Sequence, residues 1–282
     1  MRVEIADGVK LYFDVDGLGL APENQHLVER PTVILMHGGP GMDHATFKLG
    51  LTDLRDVAQV IVYDHRGHGR SDWRTSDEWN LDTWADDIVR FCDALEIRKP
   101  IVLGNSFGGM VAQHYIGRHP EHPGKVVLSS TAPRWDVGPV IDMFSQLGGP
   151  KARYAAKKMW SDPTPENSDH YRKICGPLYT QTPGNMFEAI ATIRNPDVFL
   201  FWNSGENQTF DARPGLARAQ CPVLVLAGEL DPVCTMKASE EIVAALPPEH
   251  VQFERFANCG HGVFRDDPTR SMAILREFIA RP

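Results

Sequence analysis

The sequence predicts an α/β protein: a doubly wound, mostly parallel sheet built from residues 1–133 and 217–282, with a helical cap inserted over residues 134–216. Three observations carry that expectation. Short apolar runs recur along the chain, among them Val33-Ile34-Leu35-Met36, Val60-Ile61-Val62-Tyr63, Ile101-Val102-Leu103, Val126-Val127-Leu128 and Val223-Leu224-Val225-Leu226. They are too short for helices, rich in β-branched residues and leucine, and apolar at consecutive positions, the pattern of strands covered on both faces. Amphipathic stretches separate them, and such alternation gives right-handed crossovers and parallel pairing. The rhythm then breaks between Arg134 and Leu216, where no clean strand pattern is found.

At the start, Val3 and Ile5, then Leu11, Phe13 and Val15, alternate around Asp7-Gly8. This predicts a β-hairpin of Arg2–Ala6 and Lys10–Asp14. Residues 16–31 carry Gly17, Gly19, Pro22 and Asn24 with little periodicity and are expected to form a surface loop. Asp82 to Leu95 places Trp84, Ile88, Phe91, Cys92 and Leu95 on one helical stripe; Ser271 to Ile279 does the same with Met272, Leu275, Phe278 and Ile279. The 134–216 segment mixes helix-compatible polar stretches with aromatics such as Phe144, Trp160, Phe187 and Phe199, between edges marked by Pro133 and Pro214-Gly215. Most of these aromatics are expected to form the insertion's own small core. A minority, Trp135, Phe201 and Trp202, are expected to bind substrate above the carboxyl ends of the strands, where open α/β sheets hold their ligands.

Composition narrows the function. In 282 residues, 42% are hydrophobic, enough to build a core without disulfide staples. There are 29 basic and 37 acidic residues, a net charge of −8. That balance lacks the basic footprint of a nucleic-acid or anionic-lipid binder. No apolar run approaches the roughly 20 residues that span a bilayer, and Met1–Gly8 lacks the apolar centre of a signal peptide. The five cysteines (Cys92, Cys175, Cys221, Cys234, Cys259) are scattered without CxxC spacing, which suits a reducing cytoplasm and argues against structural zinc. The expectation is a cytoplasmic protein with a small-molecule substrate and no nucleic-acid or membrane partner; oligomeric state has no signature in the sequence.

The chemistry concentrates where apolar runs end. Gly104-Asn105-Ser106-Phe107-Gly108 directly follows one strand and precedes a helix. A serine on so sharp a turn has its hydroxyl pushed above the sheet edge, and only small neighbours fit two positions away on either side. The N–H of Phe107, at the helix start, then points to where an oxyanion would form. A serine hydroxyl needs a base, and the base needs a carboxylate. Gly228-Glu229-Leu230-Asp231 ends the strand at Val223–Leu226, and Gly260-His261-Gly262 follows the strand at Val251–Phe256. Ser106, Asp231 and His261 thus lie on one sheet edge in the chain order expected for this topology. Asp231 is preferred to Glu229, which leaves the strand on the opposite side of the turn. A third segment, His37-Gly38-Gly39-Pro40-Gly41, supplies Gly39 N–H as second oxyanion donor, with His37 packed beneath it against backbone.

Taken with Asp64-His65-Arg66-Gly67-His68-Gly69-Arg70-Ser71, these motifs resemble the α/β-hydrolase superfamily, and within it the proline-iminopeptidase-like branch whose members carry the HGGPG loop. The resemblance covers nearly all of the chain outside the insertion. It implies the α/β-hydrolase fold, a Ser106–His261–Asp231 triad, and an Asp64–Ser71 loop in which Asp64 and Arg66 brace backbone. Peptidases of that branch hold the substrate's ammonium with a glutamate after the catalytic aspartate and another in the insertion. Here Pro232 follows Asp231, and spacing puts the second position near Leu200, in an apolar run, with Glu206 and Asp197 as the nearby acids. The expected function is therefore a serine hydrolase that cleaves a small, largely apolar ester or lactone through an acyl-enzyme, without metal or organic cofactor. The alternatives are an aminopeptidase or amidase acting on an N-terminal residue such as proline and, from a different class, a non-catalytic protein that binds a hydrophobic ligand in the same cleft.

Overall fold

The structure is a computed structural model and describes residues 1–182 and 191–281; Phe187 lies outside them. Eight strands form one sheet: β1 (Arg2–Ala6), β2 (Val9–Asp16), β5 (Thr32–Met36), β6 (Gln59–Tyr63), β7 (Ile101–Asn105), β8 (Lys125–Ser129), β9 (Val223–Gly228) and β10 (Val251–Phe256). Their order is β1-β2-β6-β5-β7-β8-β9-β10. The β1–β2 hairpin joins antiparallel at one edge, and the other pairings are parallel. The mostly parallel sheet read from the apolar runs is therefore present.

The runs are apolar throughout because each face of the sheet has its own core. Ile34 and Met36 face one side with Val102, Trp84, Phe91 and Tyr115; Val33 and Leu35 face the other with Val60, Val62, Leu103, Leu275 and Phe278. Helices α1 (Leu81–Ala94) and α2 (Phe107–Arg118) supply the first layer and α9 (Pro268–Ala280) the second. Their starts are written locally. Asn80 accepts the Thr83 N–H at 2.8 Å to cap α1, and Asp267 caps α9 by accepting the Arg270 N–H, with Pro268 in the first turn. Strand order reverses between β5 and β7, so the crevice beyond their carboxyl ends is the topological switch point where such sheets bind ligands.

Between β8 and β9 the described chain is helical: α3 (Val137–Ser161), α4 (Pro165–Cys175), α5 (Pro196–Ser204) and the short α6 (Arg213–Leu216). Helix α3 breaks at Gly149-Pro150, where Gly149 takes φ 68° and the proline has no N–H to continue the ladder. Val140, Phe144, Ala155, Met159, Tyr171 and Cys175 form this segment's own core. Two further α-helices are α7 (Met236–Ala245) after β9 and α8 (Val263–Asp266) after β10.

Residues 16–31 depart from expectation. They form a second, two-stranded sheet, β3 (Leu20–Glu23) and β4 (His26–Glu29), turned through Asn24 and Gln25 at φ 45° and 69°. Positive φ at both central residues is the geometry of a tight two-residue hairpin. Both faces are largely exposed, with Leu20 and Leu27 in solvent, so the alternation that reveals a half-buried strand is missing. Among the described residues all five cysteines are free and buried, and no helix is long and apolar enough to cross a membrane.

Candidate active site

Ser106 sits between β7 and α2 at φ 55° and ψ −120°, a left-handed conformation that a serine adopts only when its surroundings enforce it. The enforcement comes from both sides. The Ser106 N–H donates to Ser129 O at 3.0 Å, and the Thr131 hydroxyl donates to Ser106 O at 2.7 Å. A side chain on Gly104 would collide with the Gly108 backbone, and one on Gly108 with the carbonyl of Met36, which is why both flanks of the serine are glycine.

The Ser106 hydroxyl lies 2.9 Å from His261 Nε2, and His261 Nδ1 lies 2.9 Å from Asp231 Oδ2. The other carboxylate oxygen of Asp231 accepts the N–H groups of Val233 at 2.8 Å and Cys234 at 2.9 Å. Asp231 is fully buried and Glu229 is exposed. Leu230 N–H donates to Cys259 O at 2.9 Å and so ties the two loops together, while Asp266 braces the His261 loop from within by accepting Gly260 N–H at 2.7 Å. With Asp231 accepting from Nδ1–H, Nε2 is left as the acceptor for the serine proton.

Gly39 and Phe107 both line the cleft beside Ser106, and among the described residues neither N–H has a hydrogen-bond acceptor. Phe107 is the first residue of α2, so its N–H has no partner within the helix and sits at the positive end of the helix dipole. Its ring is locked edge-on between Trp84 at 5.0 Å and Trp202 at 5.4 Å, which holds the helix start in place. Such an arrangement can transfer a proton from an alcohol and stabilise an oxyanion next to it.

The cleft, open on one side to solvent, is lined by Gly39, Pro40, Ser106, Phe107, Met110, Trp135, Trp160, Phe199, Trp202, Asn203, Asn207, Val233 and Cys234. Among the described residues, none in that lining carries a charge at neutral pH. Trp135 and Trp202 are there as expected, but Phe201 is not: it is 44% exposed and packs edge-on against Trp79 outside the cleft. Helical phase explains the correction. On α5, Phe199, Trp202 and Asn203 share one face, and Phe201 lies on another. Leu200 is likewise absent from the lining, Asp197 is exposed, and Glu206 is committed elsewhere, accepting the Leu81 N–H at 3.0 Å where α1 begins. Burial raises the pKa of Glu206, and the hydrogen bond from Leu81 offsets part of that rise. Asn203, Asn207, Trp160 and Cys234 were not picked out as cleft residues from the sequence; the phase of α5 was the only available signal for the first of them.

Asp231, Cys234 and His261 are, among the described residues, the one cluster whose donor atoms lie close enough to share a metal ion, all within 4.8 Å of one another. Its carboxylate already serves His261 and two backbone N–H groups. Burial, and then the Asp231 charge, push the Cys234 thiol well above its ordinary range, so it stays protonated. Beneath the cleft, Asp64 and Arg66 face backbone and buried acids. Asp64 accepts from His44 and from Arg70 N–H, while Arg66 forks onto Asp87 at 2.6 and 2.8 Å. His37 is fully buried, with Nδ1 at 2.8 Å from Gly38 O and Nε2 accepting His65 N–H.

Known proteins align with this architecture. Residues 31–158 match the family model for the alpha/beta hydrolase fold. A proline iminopeptidase of Lactobacillus helveticus is 36% identical over 273 residues, covering 89% of this chain and 90% of the relative. Among solved structures, a proline iminopeptidase of Mycobacterium smegmatis superposes with a TM-score of 0.80 at 22% identity, over 99% of this chain and 97% of that one. The esterase RhEst1 of Rhodococcus sp. ECU1013 gives 0.77 at 24% identity, over 99% and 98%. The chain belongs to the α/β-hydrolase superfamily, in its proline-iminopeptidase-like branch. It is accordingly a hydrolase of small molecules.

Proposed function

We propose that the protein is a serine hydrolase that cleaves a small, largely apolar carboxylic ester or lactone through an acyl-enzyme. Ser106 attacks the carbonyl while His261 takes its proton, and Asp231 keeps the imidazole in the accepting tautomer and supports its positive charge. The N–H groups of Gly39 and Phe107 hold the oxyanion. His261 then returns the proton to the leaving alcohol, and water repeats the sequence to release the acid.

The observation that supports an ester rather than an aminoacyl substrate is the uncharged lining of the cleft. Among the described residues an α-ammonium group would find no carboxylate beside it there, and its desolvation would cost several kcal/mol. The names of the relatives favour the second reading, an aminopeptidase that releases an N-terminal residue such as proline. One experiment separates them: kcat/KM for p-nitrophenyl butyrate against proline β-naphthylamide, with Ser106→Ala as control. Preference for the ester, abolished in Ser106→Ala, is expected; preference for the aminoacyl amide would overturn the reading.

A further inference from the structure

The cleft is uncharged but not wholly apolar, and its polar atoms are arranged in a way that can be traced bond by bond. Asn203 and Asn207 follow one another at a one-turn spacing and are only 3% and 2% exposed. The Asn203 side-chain amide donates from Nδ2 to the carbonyl of Phe199 at 2.7 Å. A carbonyl only accepts, so this contact fixes which end of Asn203 faces which way. Its Oδ1 therefore faces Asn207 and accepts from Asn207 Nδ2 at 3.0 Å. Turning Asn207 over would set two oxygens against each other, so Asn207 is fixed as well. What it leaves over is a carbonyl-type acceptor.

That acceptor, Asn207 Oδ1, is buried and has no hydrogen-bond donor among the described residues; the indole Nε1 of Trp160 is buried and has no acceptor among them. They are the two such atoms that belong to residues lining the cleft over Ser106. Buried polar groups left unpaired cost free energy in the free protein, and a ligand that completes them recovers it. We infer that the cleft is built for an acyl group bearing a neutral group that both donates and accepts, a hydroxyl or a secondary amide, which gives its hydrogen to Asn207 Oδ1 and accepts one from Trp160 Nε1.

The pairing selects against both simpler substrates. A plain alkyl chain leaves acceptor and donor unmade, and sites built to hydrogen-bond a substrate group reject the analogue that lacks it. An ammonium group could satisfy Asn207, but it would offer nothing to the Trp160 N–H and would find no carboxylate among the described residues of the lining. The inference rests on the ester-hydrolase reading and names the acyl class within it.

The test compares kcat/KM, each divided by the ester's own hydroxide-catalysed rate constant, for two matched pairs. These are p-nitrophenyl 3-hydroxybutyrate against butyrate, and p-nitrophenyl N-acetylglycinate against pentanoate. The polar ester of at least one pair is expected to be favoured about tenfold or more. That ratio should collapse towards one in Asn207→Leu and fall in Trp160→Phe, which keeps an aromatic ring but loses the N–H. Equal or faster turnover of both apolar esters, or a preference unchanged in both variants, overturns the inference. Should the variants not fold, the wild-type ratios still decide. Butyrate turnover with fluorophosphonate labelling of Ser106 leaves the ester-hydrolase reading standing whatever the ratios. No turnover of any ester and no labelling removes that reading and the inference together.

Discussion

Tyr179 holds His261 from two directions: its ring meets the imidazole edge-on, with centroids 5.2 Å apart at 86°, and its carbonyl oxygen accepts the His261 N–H at 2.7 Å. Tyr179 comes from the helical segment between β8 and β9, and its hydroxyl is bonded at 2.7 Å to that of Tyr171 in that segment's core. The base proposed to activate Ser106 is thus oriented partly by a segment far from it in the chain. Tyr179→Ala removes the ring wall and lets the imidazole swing. Since small misplacements of reacting groups are costly, kcat should fall about ten- to a hundredfold with little change in KM. Tyr179→Phe keeps the wall and should stay within a few-fold of wild type. Steady-state kinetics on p-nitrophenyl butyrate check both, and equal loss in the two variants would contradict the ring's role.

A tautomer argument gives the outcome for Asp231→Asn. One oxygen of Asp231 accepts two backbone N–H groups, from Val233 and Cys234, and an asparagine would keep its own oxygen there. Its NH₂ would then face His261 Nδ1, which could only accept. The proton moves to Nε2, and the nitrogen facing Ser106 turns from acceptor to donor. Exchanging this carboxylate for an amide in such triads costs about 10⁴-fold in kcat with the fold intact. Activity assays with circular dichroism test the pair of claims.

How far the site could be read before the structure depended on whether burial left a pattern. Ser106 and Asp231 follow short apolar runs and His261 follows the mixed strand Val251–Phe256, and parallel strands deliver their carboxyl ends to one rim, so their convergence was legible from order alone. The cleft wall was not. Val198-Phe199-Leu200-Phe201-Trp202 is apolar on every side, and such a run carries no helical phase, so the sequence does not show that Phe199 and Asn203, rather than Phe201, face the cleft. The β3–β4 hairpin failed for the opposite reason, since neither of its faces is buried.

Arg66 makes a claim on stability. Its guanidinium is buried and forked onto Asp87, itself 2% exposed, with Glu78 as a further partner. Burial raises the Asp87 pKa, and the Arg66 hydrogen bonds and charge hold that rise down. Arg66→Ala leaves Asp87 in the core without this partner. Breaking a buried pair from one side costs about 3–5 kcal/mol, so urea unfolding should show a loss of that order. A double variant, Arg66→Met with Asp87→Leu, should recover part of it, because no buried charge is then stranded. A double variant no more stable than Arg66→Ala would show that the charge is not the source of the loss.

Acid sensitivity has a source directly beneath the cleft. His37, His65 and His68 are almost wholly buried, with ring centroids 4.6 to 5.7 Å apart. Burial pushes all three below the ordinary histidine range, His65 and His68 further through the proximity of neighbouring rings, and His68 to about 3. In the unfolded chain the same rings bind a proton near pH 6.5. Below that pH the unfolded state takes up protons that the folded state refuses, so stability is complete above about 6.5 and drains away as pH falls towards 3. At pH 4.5 the window already spans two units for His68, roughly 2–3 kcal/mol from this ring alone. Urea unfolding at pH 7.0 and 4.5, at constant ionic strength, should show a loss at least that large. His68→Phe tests the source. The Arg66 carbonyl that His68 Nδ1 contacts at 2.8 Å keeps the Trp84 indole as donor at 2.9 Å, so the variant orphans no buried acceptor there. Its stability should fall less between the two pH values than that of the wild type, and an unchanged difference would place the acid sensitivity elsewhere.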